Sequence, residues 1–397
     1  MRRVAIGHVV KCAPARLVVA IGLVGASLVA VVSPAGAALG WSIVPSGVSV
    51  DVTVVGVSCP SAASCWAVGY DTQDAGAFSS LSDIEHWNGA RWSLVASPGP
   101  AGTLGTWLNA VSCPRANSCY AVGGVLTKAD TDQSFIEHWN GKIWSVMSSP
   151  PYGGTGNVVL TGISCPNPSS CLAIGLDTKT DNSASGVVER WNGAKWTIRA
   201  LPNPTVGSWS DDGPGGVSCP SPSGCFVVSA AYRPGGFYTF VQYWNGARWT
   251  IIPSPNITSD TELSGVSCPG PTSCFAVGRY FDPSTKHTFA EHWNGSRWTA
   301  STTPNPTSQA ELFNVSCPAS NSCFAVGDSS TASTTTTLVE QWNGTKWVID
   351  ASPNPPGAGD ALLGNVSCFS TQGCFAVGDA AKNSDTFPGA PLIERWS

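Results

Sequence analysis

Charge is scarce in this chain: Asp, Glu, Lys and Arg make up 11% of its 397 residues, beside two methionines and five histidines. No Lys/Arg stripe runs along any segment, which argues against a nucleic-acid partner, because phosphate binding depends on clustered positive charge. Beyond residue 37 no apolar run is long enough to cross a bilayer as a helix, so no membrane span is expected in the exported chain. Apolar positions do not recur at helical spacing, and the Gly- and Pro-rich intervals would break a helix in any case. Catalytic signatures are missing as well: there is no Gly-x-Ser-x-Gly elbow, no phosphate-binding glycine loop with Lys, and no His-Glu-x-x-His. No catalytic residue, cofactor or metal is therefore expected, and the chain reads as a non-enzyme.

The N-terminus reads as a secretory leader. Arg2, Arg3, Lys11 and Arg16 precede an apolar run from Leu17 to Val32, and Ala35-Gly36-Ala37 is a small-residue cleavage site, with cleavage expected before Ala38. Beyond it remain 25 acidic and 16 basic side chains, a formal charge of −9.

Cysteine and tryptophan are what the chain has in quantity, 15 and 17 residues. Apart from Cys12, the cysteines form seven pairs with five residues between partners: Cys59 with Cys65, Cys113 with Cys119, Cys165 with Cys171, Cys219 with Cys225, Cys268 with Cys274, Cys317 with Cys323, and Cys368 with Cys374. In an exported chain this spacing reads as seven local disulfides, each worth on the order of 2 kcal/mol. Zinc is the rival reading, but it needs converging Cys/His pairs, and beyond the leader the histidines are His86, His138, His287 and His292.

The pairs mark a repeat. First cysteines are 54, 52, 54, 49, 49 and 51 residues apart, and each interval carries Val/Ile-Ser-Cys, a Cys-x-Ala-Val-Gly-like run, Glu-x-Trp (Gln-x-Trp in the fourth), and Trp-Asn-Gly-x-x-Trp. Four strands divide the unit. A ends at Val-Ser-Cys, B is the run from the second cysteine, C carries Glu-x-Trp, and D starts at the second Trp. Asn-Gly predicts a two-residue hairpin turn with both residues at positive φ, making Trp87 and Trp92 diagonal neighbours in a small aromatic clasp. Four-stranded units of about 50 residues predict the blades of a β-propeller.

The two ends complete each other. The last unit stops after strand C at Leu392-Ile393-Glu394-Arg395-Trp396-Ser397, and Leu39-Gly40-Trp41-Ser42-Ile43-Val44 reads as the missing strand D. The expected architecture is all-β, a seven-bladed propeller with blades near 51–98, 104–150, 157–203, 213–255, 261–304, 310–353 and 361–397 plus 39–46, closed by the N-terminal strand. Closure leaves no free sheet edge.

Uniform A–B and C–D connections then share one face, and the varied B–C and D–A connections share the other, where binding is expected. Unit four departs from the repeat at Ser229, where others have Gly, and at Gln242, where the others have Glu. Its connections bring Trp209, Asp211 and Asp212 near Tyr232, Arg233, Phe237 and Tyr238, a combination of aromatic faces with charge that suits a glycan or polar peptide; internal packing of these aromatics is the alternative. Trp107, placed in the loop before unit two, is open to the same two readings.

Residues recurring in nearly every unit read as ties between units: Glu85, Glu137, Glu189, Glu291, Glu340 and Glu394, and the serines from Ser58 to Ser367 just before each first cysteine. His86, His138 and His292 are expected to be solvated. Paired aspartates in B–C connections, Asp71 with Asp74, Asp130 with Asp132 and Asp177 with Asp181, read as polar loop rather than Ca²⁺ sites, since the EF-hand glycine and terminal glutamate are absent.

The combined pattern Val-Ser-Cys-Pro-x4-Cys-x-Ala-Val-Gly with Glu-x-Trp-Asn-Gly-x-x-Trp-Ser resembles a repeat of exported actinomycete β-propeller proteins, and the likeness covers about residues 41 to 397. It looks distantly like Kelch and galactose-oxidase propellers, although Gly123-Gly124 is the single di-glycine after Ala-Val and a Tyr/His copper site finds no match. The resemblance implies a fold and an extracellular location, and no activity. Three functions stay open. The first is a secreted monomeric scaffold engaging glycan or protein through the variable face. The others are a multivalent lectin with pockets between blades and an extracellular hydrolase or lyase.

Overall fold

The computed structural model describes residues 39–48, 52–71, 81–151, 157–179, 183–203, 208–382 and 389–397, with the side chains of 208–212 excepted. The expected leader at 1–37 and the expected cleavage before Ala38 lie outside the described residues. Among the described residues every regular element is a strand. Unit one comprises Val52–Ser61, Ser64–Asp71, Leu81–Trp87 and Trp92–Leu94 as strands A to D. Unit two comprises Gly105–Arg115, Ser118–Leu126, Asp132–Trp139 and Trp144–Val146, and unit three Asn157–Asn167, Ser170–Thr178, Ala184–Trp191 and Trp196–Ala200. Unit four comprises Ser208–Ser221, Gly224–Arg233, Gly236–Trp244 and Trp249–Ile252, and unit five Thr261–Gly270, Ser273–Asp282, Thr285–Trp293 and Trp298–Ser301. Unit six comprises Ala310–Ala319, Ser322–Ser330, Thr335–Trp342 and Trp347–Asp350. Unit seven supplies Asp360–Ser370, Gly373–Ala381 and Ala390–Trp396. Its fourth strand is Trp41–Ile43, which runs antiparallel to Ala390–Trp396 with Trp41 opposite Trp396 and Ile43 opposite Glu394.

Strand B is buried on both faces because each sheet packs against a neighbour on either side. Among the described residues seven hydrophobic cores lie between successive sheets. One of them joins Phe375, Val377 and Ile393 of unit seven to Val52, Val54 and Val57 of unit one. The same chemistry repeats at each interface. The serine before a first cysteine accepts a hydrogen bond from the backbone N–H of the next unit's first cysteine, from Cys113 N to Ser58 at 2.9 Å around to Cys59 N to Ser367 at 2.9 Å. A buried backbone N–H needs such a partner, so serine recurs there.

All seven expected disulfides are formed. Cys59 is bonded to Cys65, Cys113 to Cys119, Cys165 to Cys171, Cys219 to Cys225, Cys268 to Cys274, Cys317 to Cys323, and Cys368 to Cys374, with Cα atoms 3.9 to 4.1 Å apart. Each bridge ties the end of strand A to the start of strand B. The second cysteines, Cys65, Cys119, Cys171, Cys225, Cys274, Cys323 and Cys374, are buried in the cores between sheets, so they are both a cross-link and a packing residue.

The Asn-Gly turns differ from expectation. Trp87 pairs directly with Trp92, so the loop has four residues. Asn88 Oδ1 accepts from the N–H groups of Ala90 and Arg91 at 3.0 and 3.1 Å, and Gly89 takes φ 95° while Asn88 does not cross to positive φ. The asparagine side chain does what a primed turn would have required of the backbone. The indoles therefore face each other across the strands, with ring centroids 5.6 to 6.1 Å apart in the seven clasps.

Candidate functional site

The residues expected around unit four do not form one cluster. Trp209, Asp211 and Asp212 fall within strand A of that unit, where their side chains lie outside the described residues; by register Trp209 is opposite Ala231. The B–C connection is a tight turn at Pro234-Gly235 and not a long loop, since Arg233 pairs with Gly236. Tyr232 and Phe237 are paired across the strands and touch edge to face at 5.8 Å, with Tyr232 55% exposed. Arg233 stacks instead on Tyr238, its guanidinium 4.8 Å from the ring centroid. Residues one step apart on a strand face opposite sides, so the Tyr232–Phe237 pair and the Arg233–Tyr238 pair sit on different faces of the sheet. Trp107 lies within strand A of unit two rather than in a loop, and its ring covers Gly124, where a Cβ would come within 2.3 Å of it.

Ser229 and Gln242 have a structural cause. In the other units a D–A connection hydroxyl donates to the next unit's strand C carboxylate in most cases: Ser46 to Glu85, Ser97 to Glu137, Ser149 to Glu189, Ser254 to Glu291 and Ser352 to Glu394, each with a contact of 2.8 to 3.0 Å. Leu201-Pro202 stands there before unit four. A carboxylate would meet a carbonyl oxygen, and the Gln242 amide meets it correctly, donating to Pro202 O at 3.0 Å and accepting from Ser229 Oγ at 2.9 Å. Elsewhere the Ser229 position must be glycine: a Cβ at Gly69 would lie 1.8 Å from Thr53 O. In unit four the A–B register jumps from Trp209 to Pro214, which removes that conflict.

Burial dominates the tying carboxyls. It pushes Glu137 up to about 7 and Glu291, Glu340 and Glu394 up to about 8, against partial relief from the donating hydroxyls. The histidines after three of these glutamates are half-buried rather than fully solvated. Register sets His86 opposite Trp66, and its ring stacks there at 4.3 Å while Nε2 meets Ser64 Oγ at 3.2 Å. His138 on Tyr120 and His292 on Phe275 repeat this at 4.5 and 4.4 Å, and burial lowers the pKa of all three.

Of the paired aspartates, Asp74 and Asp181 lie outside the described residues. Asp71, Asp132 and Asp177 lie in strands, and Asp177 is buried. Among the described residues no three His, Cys, Asp or Glu side chains converge as a metal site. The ion pairs among the described residues are confined to units five and six, where Arg279 binds Glu262 at 2.7 Å and also Glu311, which Lys286 shares. Buried Asp328, opposite Glu311, is pushed up to about 6 by burial and by Glu311.

A binding-sized space opens at the interface of units three and four, and its lining residues are not those expected. At six interfaces the residue after the second cysteine is an aromatic wedge against the next unit's clasp: Trp66, Tyr120, Phe226, Phe275, Phe324 and Phe375, each at most 2% exposed. Each presents itself edge to face to a strand D indole, at 5.2 to 6.2 Å. In unit three that residue is Leu172. The Trp244–Trp249 clasp beyond it is half-buried, whereas the strand D indoles of other units are 4 to 8% exposed. Between them opens a cleft of about 450 Å³, lined among others by Leu172, Arg190, Arg199, Trp244, Arg248 and Trp249. It reaches the C–D turn of unit four, the end of the strands opposite the variable connections. The visible signal in the sequence was one aliphatic residue in a column of aromatics.

No family model and no curated protein matches this chain. Solved structures do. YCF48 bound to a D1 peptide has a TM-score of 0.51 at 15% identity, covering 90% of this chain and 96% of its own. YCF48 from Cyanidioschyzon merolae gives 0.51 at 12% identity, covering 90% and 98%. The β-propeller domain of the Trilobed protease from Pyrococcus furiosus, described as having an open velcro topology, gives 0.50 at 6% identity, covering 87% and 95%. At these identities the likeness concerns the fold, and the repeated four-stranded sheets of this chain are similar to those of β-propellers.

Proposed function

We propose that residues 39–397 form a closed seven-bladed β-propeller that is exported and acts as a monomeric, non-enzymatic scaffold binding an extracellular glycan or protein. The pairing of Trp41–Ile43 with Ala390–Trp396 supports closure. Seven disulfides suit an oxidising compartment, and no helix among the described residues is long and apolar enough to cross a membrane. One observation carries the binding reading: the single interface without its aromatic wedge holds a cleft of about 450 Å³ with two half-buried indoles, within the size range of small-ligand sites. The Arg233–Tyr238 pair, at the opposite end of unit four, is a second candidate contact.

A multivalent reading draws support from clefts of about 350 and 310 Å³ beneath equivalent connections of units two and five. The oxidised exported protein should be screened on a glycan and cell-wall polysaccharide array, with calorimetry on each hit. One site lost in Leu172→Phe favours the cleft, one site lost in Tyr238→Ala favours the variable face, and two or more equivalent sites favour multivalency. Breakdown products from a bound glycan would refute a non-enzymatic role. With no glycan hit, a pull-down from the secreted fraction tests the protein arm.

A further inference from the structure

The charge of the cleft between units three and four runs against the net negative charge of the chain. Three of the nine arginines beyond residue 37 line it, Arg190, Arg199 and Arg248, and no acidic residue does. The chain carries −9 beyond its leader, and where it buries Arg279 it provides Glu262 and Glu311. None of the three cleft arginines has such a partner among the described residues. Arg190 is opposite Leu172 in register, and its guanidinium lies 5.3 Å from the Trp244 ring centroid. In unit seven Arg395 also stacks on the next clasp, at 5.5 Å from Trp87, but there the wedge Phe375 fills the space beneath it. Among the described residues, an arginine meets an open clasp only at Leu172.

Resting on the binding reading above, we propose that this cleft is the site for an acidic glycan, a chain of sugars carrying carboxylate or sulfate groups. Three guanidinium groups in one cleft repel one another, and an anion relieves that cost. Their planar forks match the paired oxygens of a carboxylate or sulfate. Half-buried Trp244 and Trp249 line the cleft and supply apolar ring surface against which the C–H groups of a sugar can pack. An acidic peptide offers the carboxylates without the rigid apolar rings, so the indoles favour the glycan.

The test uses the oxidised exported protein and two pairs of probes: hexagalacturonate with its methyl ester, and a sulfated galactan hexasaccharide with its desulfated form. Hexaglutamate is the peptide control. At least one acidic glycan should bind, at least tenfold tighter than its neutral counterpart and than hexaglutamate, and more weakly as salt rises. Which pair shows the difference separates carboxylate from sulfate recognition. Arg199→Gln with Arg248→Gln, both exposed positions, should weaken binding at least tenfold without lowering the unfolding temperature. Leu172→Phe, which supplies the missing wedge, should abolish binding while the protein stays folded. Unchanged affinity in both variants overturns the proposal, as does hexaglutamate binding as tightly as the glycans, or no acidic glycan binding at all. Neutral glycans binding equally, with loss in Leu172→Phe, would overturn the charge specificity and leave the scaffold reading standing. That reading falls only if the array and the pull-down are both empty.

Discussion

Replacing Glu340 with glutamine is expected to stabilise the fold at alkaline pH and to leave it nearly unchanged at pH 4.5. Glu340 is fully buried, and both carboxylate oxygens lack a hydrogen-bond partner. Thr303 stands where other units place a serine, and its hydroxyl donates to Thr288 O at 2.9 Å instead. Burial therefore pushes the carboxyl up to about 8, with Thr288 pulling only weakly downward and outside good hydrogen-bond geometry. Below about pH 4.5 both folded and unfolded chains hold the proton, and the site costs nothing. As pH rises from there to about 8 the unfolded chain releases a proton that the folded chain keeps, so stability falls; above 8 the loss is complete. At about 1.4 kcal/mol per pH unit this reaches at most about 4 kcal/mol near pH 7.5. Glutamine cannot ionise, and its unmatched amide costs about as much as the unmatched protonated carboxyl it replaces, roughly 1 kcal/mol at every pH, so the two offset at pH 4.5. Urea unfolding with disulfides intact, followed by tryptophan fluorescence at pH 4.5, 6 and 8, should show the variant gaining several kcal/mol on the parent across that range. A difference that does not change with pH refutes the reasoning.

Three further outcomes follow from the same interfaces. Gln242→Glu should destabilise by about 1 to 3 kcal/mol at pH 8, because a carboxylate would face Pro202 O, and should recover towards pH 5 as it takes up a proton, read by the same unfolding series. Ser367→Ala and Ser164→Ala each orphan a backbone N–H, of Cys59 and Cys219, and should each cost about 1 to 3 kcal/mol; a negligible loss at Ser367 alone would show that units seven and one are not joined as the others are. Trp41→Ala removes the strand D half of the seventh clasp, 8% exposed and in contact with Phe324 and Trp396, and should cost about 3 to 5 kcal/mol, measured as a lowered unfolding midpoint.

Much of the fold was legible because the repeat supplies its own comparison. The cysteine spacing marked the units, and the half-unit at each end marked where strand D of unit seven had to come from. The serines before the first cysteines were readable as ties because they recur at all seven interfaces, and the strand C glutamates because they recur in six units, although Glu340 makes no such hydrogen bond. The turn register was not legible, since Asn-Gly permits either a two-residue primed turn or a four-residue loop held by the asparagine side chain, and only φ separates them. The histidines were misplaced for a related reason: the cross-strand partner that covers His86, Trp66, lies 20 residues away and is fixed by register, not by local pattern. The cleft was hidden because Leu172 is apolar, buried and ordinary when read alone; its meaning comes from the indoles of the following unit.

Departures from a repeat are of two kinds, and unit four and its neighbour contain both. Ser229, Gln242 and Leu201-Pro202 look unusual one at a time, yet together they restore a closed set of hydrogen bonds, donor to acceptor, with nothing left over. A compensated departure says how the fold accommodates drift and points to no ligand. Leu172 is uncompensated. No neighbouring side chain has grown to fill the space its missing ring leaves, Trp249 stays half-buried, and the arginines gathered around it have no carboxylate of their own among the described residues. Selection for stability alone would favour the aromatic present at the other six interfaces, since each edge-to-face contact contributes about 0.5 to 1.5 kcal/mol beyond area burial. An interface that forgoes it, in a scaffold able to supply it six times over, is where something other than stability sets the residue, and the Leu172→Phe variant measures both sides of that exchange at once: a higher unfolding midpoint and a lost ligand.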